Sequence, residues 1–249
     1  MALLAFLFGV VVVASLVTTA MIGLDILPAS PVVMAIVFGA HAVFGVFFFK
    51  GYSDYRALHR LLMEGRGELY DLAIAHRIKP SRFREFRSHY ALRRLQGLAL
   101  TGQPLQAIEV AQQQEELLLA NHRQRLDVAA ALIDVNLQLD TREWARRLLD
   151  EAEELPGAQG HLGLQAARGR YAFQAGDLST AERLLEGARR DGQFPLSQLM
   201  KARNLCWIGQ LRLRQGDTVA AARELSQAVK MAPDSYWGRR ARRALAQVS

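Results

Sequence analysis

The stretch ARNLCWIGQLRLRQGDTVAAARELSQAVKMAPDS, Ala202 to Ser235, reads as two short helices with a turn between them. Small residues stand where the helices must touch: Gly209 in the first, Ala221 and Ala228 in the second. Gly216-Asp217 makes the turn and Pro233 stops the second helix. Small side chains let two antiparallel helices approach, and larger apolar residues fill the gap to a neighbouring pair. One pair cannot bury its face alone, so copies must stack.

Weaker copies lie upstream. One has Gly169, the turn Gly176-Asp177, Ala181, Leu185 and Ala188, with Pro195 slightly late. An earlier one is centred on Ala145, with Leu132, Leu149 and Ala152 and the turn Asp140-Thr141. The first is centred on Ala107, with Leu98, the turn Gly102-Gln103-Pro104 and Ala111. The central alanines Ala107, Ala145, Ala181 and Ala221 are 38, 36 and 40 residues apart. With Leu205, Ile208, Gly209, Gly216, Ala221, Leu225, Ala228 and Pro233 in register, the pattern resembles the tetratricopeptide repeat, a helix-turn-helix unit of about 34 residues that stacks into a solenoid. The resemblance covers roughly residues 88 to 235. Arg212 departs from it, standing where the family usually has an aromatic. A generic array of helical hairpins is the alternative.

The resemblance implies a concave groove, lined by the first helix of each pair, that receives peptides or partner helices. Carried over by register, the lining is Arg93 and Gln96 in the first copy and Asp134 and Gln138 in the second. Arg170 and Gln174 come from the third, and Arg203, Gln210 and Arg214 from the fourth. A groove richer in Arg than Asp favours acidic peptides or C-terminal carboxylates.

A very different segment opens the chain. From Met1 to Phe49 the only side chain charged at neutral pH is Asp25, whereas from Lys50 onward there are 31 basic and 23 acidic residues, a net of +8. Ala2 to Leu24 carries no charge, and Pro31 to Phe49 is a second uncharged run of 19 residues. About 20 apolar residues span a bilayer, so the two runs predict a membrane hairpin over 1–50, with the Pro28 to Pro31 turn at its tip. The tip has no basic residue, while Lys50, Arg56, Arg60 and Arg66 follow the second run. Both termini are therefore expected on the cytoplasmic side of a bacterial inner membrane. A cleaved signal peptide is disfavoured, because no Lys or Arg precedes the first run and the run is too long. His41 sits mid-span in the second run. An intramembrane imidazole is either bonded to a neighbouring helix or functional.

Residues 51–87 read as a helical connector broken by Gly65 and Gly67, either a degenerate first repeat or a juxtamembrane segment whose basic residues touch anionic lipid. Residues 88–249 form the repeat domain, closed by a capping helix over 235–248. There Trp237, Ala241, Leu245 and Val248 face inward and Arg239, Arg240, Arg242 and Arg243 solvate the outer face.

No constellation points to catalysis: there is no phosphate loop, no His-Glu-x-x-His and no cysteine pair. The six histidines have no metal-ligand spacing, and Cys206 sits among Leu205, Trp207 and Ile208 as a buried structural thiol. No cofactor and no metal are expected. The expected fold is all-α, two transmembrane helices followed by a tetratricopeptide-like solenoid. The expected function is a non-enzymatic scaffold in a bacterial envelope complex, of the kind used in exopolysaccharide secretion or cytochrome c maturation. The solenoid would hold a protein partner, and the hairpin would hold lipid and a membrane subunit. A membrane-bound holdase, with an apolar groove and many clients, is the alternative. Nucleic acid is the least favoured partner, because the acids are interspersed with the bases.

Overall fold

The computed structural model describes residues 53–54, 56–78, 83–120, 124–189 and 196–248, together with Gly39. The expected membrane hairpin, His41 included, lies outside the described residues except for Gly39. Among the described residues no helix is long and apolar enough to cross a membrane. Packing divides the chain into two compact units, Met1–Ala57 and Leu58–Ser249.

The described part of the second unit is all-α. A helical segment ends at Met63 and is followed by α1 (Gly67–Ile78), α2 (Arg84–Thr101), α3 (Pro104–Gln113) and the short α4 (Glu115–Leu119). Then come α5 (Arg125–Gln138), α6 (Arg142–Glu153), a single 3-10 turn (Ala158–Gly160), α7 (Leu162–Ala175) and α8 (Leu178–Gly187). The last three are α9 (Ser197–Arg214), α10 (Thr218–Met231) and α11 (Tyr236–Leu245).

Four hairpins, α2/α3, α5/α6, α7/α8 and α9/α10, fall where the four sequence copies place them. Their central alanines Ala107, Ala145, Ala181 and Ala221 are all fully buried. Close approach follows from the glycines opposite. A Cβ added to Gly209 would stand 2.6 Å from Leu225 Cγ, and one on Gly169 would stand 2.9 Å from Leu185 Cγ. The turns explain where each first helix stops. Gly102 and Gly216 take left-handed φ values of 76° and 82°, which cost a glycine little. The second hairpin uses Asp140 at the same place, with φ 58°, the only non-glycine in that region among the described residues. The second helices of the last two hairpins start from side-chain caps: Asp177 accepts from the Thr180 amide at 3.0 Å and Asp217 from the Ala220 amide at 2.9 Å.

The break at Gly65 and Gly67 separates α1 from the helix before it, as the sequence predicts. α1 then runs antiparallel to α2. Tyr70 donates from its hydroxyl to the Arg93 carbonyl at 3.1 Å, and Arg94 pairs with Asp71, with Nη2 to Oδ2 at 2.8 Å.

The first helices α2, α5, α7 and α9 pack in succession, and α9 and α11 also touch α2. The row thus returns to its start. Gly102, at the end of α2, lies against the ring of Tyr236 at the beginning of α11, and Gly65 lies against the Asp234 carbonyl. One apolar cluster accordingly joins Leu62, Tyr70 and Ile74 to Trp207, Leu211 and Trp237. Within it Phe173 meets Trp207 edge-on, ring centroids 5.3 Å apart.

Arg212, the departure from the family pattern, reaches back to the preceding hairpin. It pairs with Glu182 and Glu186 of α8, and Arg189, just beyond α8, pairs with Glu224 of α10 at 2.9 Å. Charge pairs thus link neighbouring hairpins.

Candidate functional site

The structure divides most of the residues carried over as a groove lining into a buried set and a set of partly buried or exposed side chains at helix ends. Gln96, Asp134, Arg170 and Arg203 are buried; Arg170 is 1% exposed and Asp134 4%. Asp134 sits between two guanidiniums: Arg170 Nε and Nη2 both lie 2.6 Å from Oδ1, and Arg203 Nη1 bonds Oδ2. Arg170 Nη1 donates to Asn204 Oδ1 at 3.1 Å, and Asn204 in turn donates to the Ala188 carbonyl. One carboxylate thus ties α5 to α7 and to α9. Gln96 accepts from the half-buried Arg93 at 3.2 Å. The cavity left among these side chains is only about 20 Å³. Ligand pockets run to hundreds of cubic ångströms, so this seam has no room for a peptide.

The second set repeats one contact. Gln138 Nε2 donates to the Ala99 carbonyl at 2.9 Å, Gln174 Nε2 to the Leu137 carbonyl at 3.0 Å, and Arg214 Nη1 to the Phe173 carbonyl at 2.9 Å. Each donor ends one first helix, and each acceptor lies in the last turn of the first helix before it. Carbonyls of a last helical turn lack the i+4 partner of the helix interior, and the Phe173 carbonyl accepts from the Gly176 amide as well, at 3.2 Å. The polar register at these positions is therefore a ladder between successive hairpins. Gln210, in register with Arg170, donates instead to Cys206 Sγ at 3.4 Å. Burial pushes the Cys206 thiol up to about 11, which suits a packing role.

Among the described residues, open sites also lie away from the seam. The first is an apolar groove of about 590 Å³ floored by α5, through Val128 and Leu132, and by Leu139 just beyond it. Its walls are Ile108 of α3, Leu118 and Leu119 of α4, and Trp144 and Leu148 of α6. Trp144 is 60% exposed and Leu119 46%. The groove exists because α4 follows α3 and the second helices α3 and α6 do not close over α5. Sequence reasoning missed it, because α4 is a short helix that breaks the repeat pattern. The signal available was Trp144 itself, an aromatic among Arg142, Glu143, Arg146 and Arg147. The second site, a basic pocket of about 500 Å³, lies where the ends of α7 and α9 meet α11, and Gln210 and Arg214 are among its lining.

Among the described residues no group of three or more His, Cys, Asp or Glu side chains could hold a metal ion. Compared with known proteins, the chain matches no family model, no curated protein and no solved structure.

Proposed function

We propose that the chain is a membrane-tethered, tetratricopeptide-like scaffold that holds a protein partner within a bacterial envelope complex. The two apolar runs of the first fifty residues act as the tether and as the contact with a membrane subunit. The four hairpins act as a short solenoid whose partner docks on its outer face. The apolar groove floored by α5 carries this reading. Contiguous exposed apolar surface on a soluble module marks an interaction site. Here it has the concave form that takes the apolar face of an amphipathic helix. The buried seam around Asp134 supports the same placement, because it leaves the inner face filled.

The groove also favours a second reading, a membrane-bound holdase, which would use the same surface for many clients. Crosslinking and pull-down from intact membranes separates the two. The full chain, a version lacking residues 1–50 and the exposed substitution Trp144→Glu are compared. A single stoichiometric partner, lost with either change, is the expected result. A broad set of clients retained by the truncated chain would replace the scaffold with the holdase. Unchanged capture by Trp144→Glu would remove the groove from either account.

A further inference from the structure

The basic pocket at the end of the array has an unusual electrostatic arrangement. It is lined by Phe173, Gln210, Arg214, Tyr236, Arg240 and Arg243, with no acidic residue in its wall. Several other arginines of the array meet carboxylates, as Arg94 meets Asp71, Arg170 meets Asp134 and Arg212 meets Glu182. Among the described residues no carboxylate lies within 4.0 Å of the guanidinium of Arg214, Arg240 or Arg243. Two of the three are held by neutral groups. Arg214 lies 4.0 Å above the Phe173 ring and donates to the Phe173 carbonyl. Arg240 lies 4.7 Å from the Trp207 centroid and 5.5 Å from that of Trp237, within reach of Tyr236 Oη and Gln210 Oε1.

Stacking on an aromatic face fixes a guanidinium while leaving N–H donors at its edge free. Three guanidiniums around one open volume, with no acidic residue in its wall, raise the local positive potential. Arginine forks match the oxygens of a phosphoryl group in pairs. The volume also falls in the range of small-ligand sites. Arg214 has a part in the ladder as well, but Arg240 and Arg243 belong to α11 and contribute nothing to it.

We propose that this pocket binds a phosphomonoester dianion, carried either by a small soluble molecule or by a lipid headgroup. It uses residues separate from the apolar groove and stands independently of the docking proposal.

The test is a phosphorus NMR titration of the detergent-purified full chain with two probes, glycerol phosphate and monomeric dihexanoyl phosphatidic acid, each with and without succinate as a competing dicarboxylate. Saturable binding of a phosphoryl probe is expected, weakened about tenfold or more by Arg240→Gln with Arg243→Gln and unchanged by Arg168→Gln, which lies outside the pocket. Arg243→Gln alone, at an exposed position, serves if the double variant does not fold. Binding should be tighter at pH 8 than at pH 5, because the phosphomonoester gains its second charge near pH 6. Binding of glycerol phosphate supports the proposal with a soluble ligand, and binding confined to phosphatidic acid supports it with a lipid. No saturable binding, equal competition by succinate, or insensitivity to the arginine substitutions would overturn it.

Discussion

Asp134 is the residue on which the inside of the array turns. A carboxylate 4% exposed, held between Arg170 and Arg203, neutralises one of two guanidiniums that are themselves almost out of water. Such a pair is weak evidence for net stability, because desolvation offsets much of the attraction. Removing one partner is another matter, since the charge left behind stays buried. Asp134→Ala is therefore expected to destabilise the fold by about 3–5 kcal/mol. Replacing all three charges by apolar residues of similar size should cost much less. Urea unfolding of both variants checks this, and equal losses would mean that the trio contributes as pairs rather than by avoiding an orphaned charge. The charge pattern was legible here, but its meaning was not. Register placed Asp134, Arg170 and Arg203 on first helices, and a groove was the natural inference. Only the packing of α5, α7 and α9 showed that the three meet each other.

Between elements, ion pairs add lateral ties to the apolar packing. Arg212 of α9 bonds Glu182 and Glu186 of α8, and Arg189 joins Glu186 to Glu224 of α10. Hydrogen bonds from Gln215 and Arg212 hold the Glu182 carboxyl below its ordinary value of 4.5. Glu186 is lowered likewise, chiefly by Arg189 and then by Arg212. A carboxylate depressed in the folded state contributes stability that is present above its unfolded value and lost as pH falls through the folded one. The melting temperature is therefore expected to decline below about pH 4.5, and Arg212→Met should shallow that decline while lowering stability near neutrality. Thermal melts across pH 3 to 7 decide it; parallel curves for the two proteins would count against the link. The positions are partly exposed, so salt should weaken the effect. The sequence marked Arg212 as a departure from the repeat pattern. Its partners were not readable, because they lie 26 and 30 residues upstream, on another hairpin.

At the scale of the whole molecule, the end of the array meets its beginning. Gly102 and Gly216 offer a matched pair of probes. Both have φ near +80°, so alanine at either carries the left-handed strain of about 1–2 kcal/mol. Nothing lies within 4 Å of a Cβ at Gly216, whereas one at Gly102 would run into the Tyr236 ring. Gly102→Ala is expected to cost about 1–3 kcal/mol more than Gly216→Ala, and Tyr236→Ala should recover part of that excess. Chemical denaturation of the single and double variants measures it, and equal costs for the two glycines would show that α2 and α11 are not in contact.

The sequence by itself determined the local units: four hairpins, their buried alanines, their turns, and the order in which they follow. These depend on residues within one repeat, and small-residue spacing, glycine and proline report them directly. The tertiary structure alone decided how the row of first helices closes on itself. The packing of successive hairpins filled the inner face with an Asp134-centred seam and left an apolar groove beside α4, and the docking of α11 set Arg240 and Arg243 around one pocket with Arg214. Each of these results depends on the angle between successive hairpins, which accumulates from many side-chain contacts and leaves no mark in the register of any one repeat.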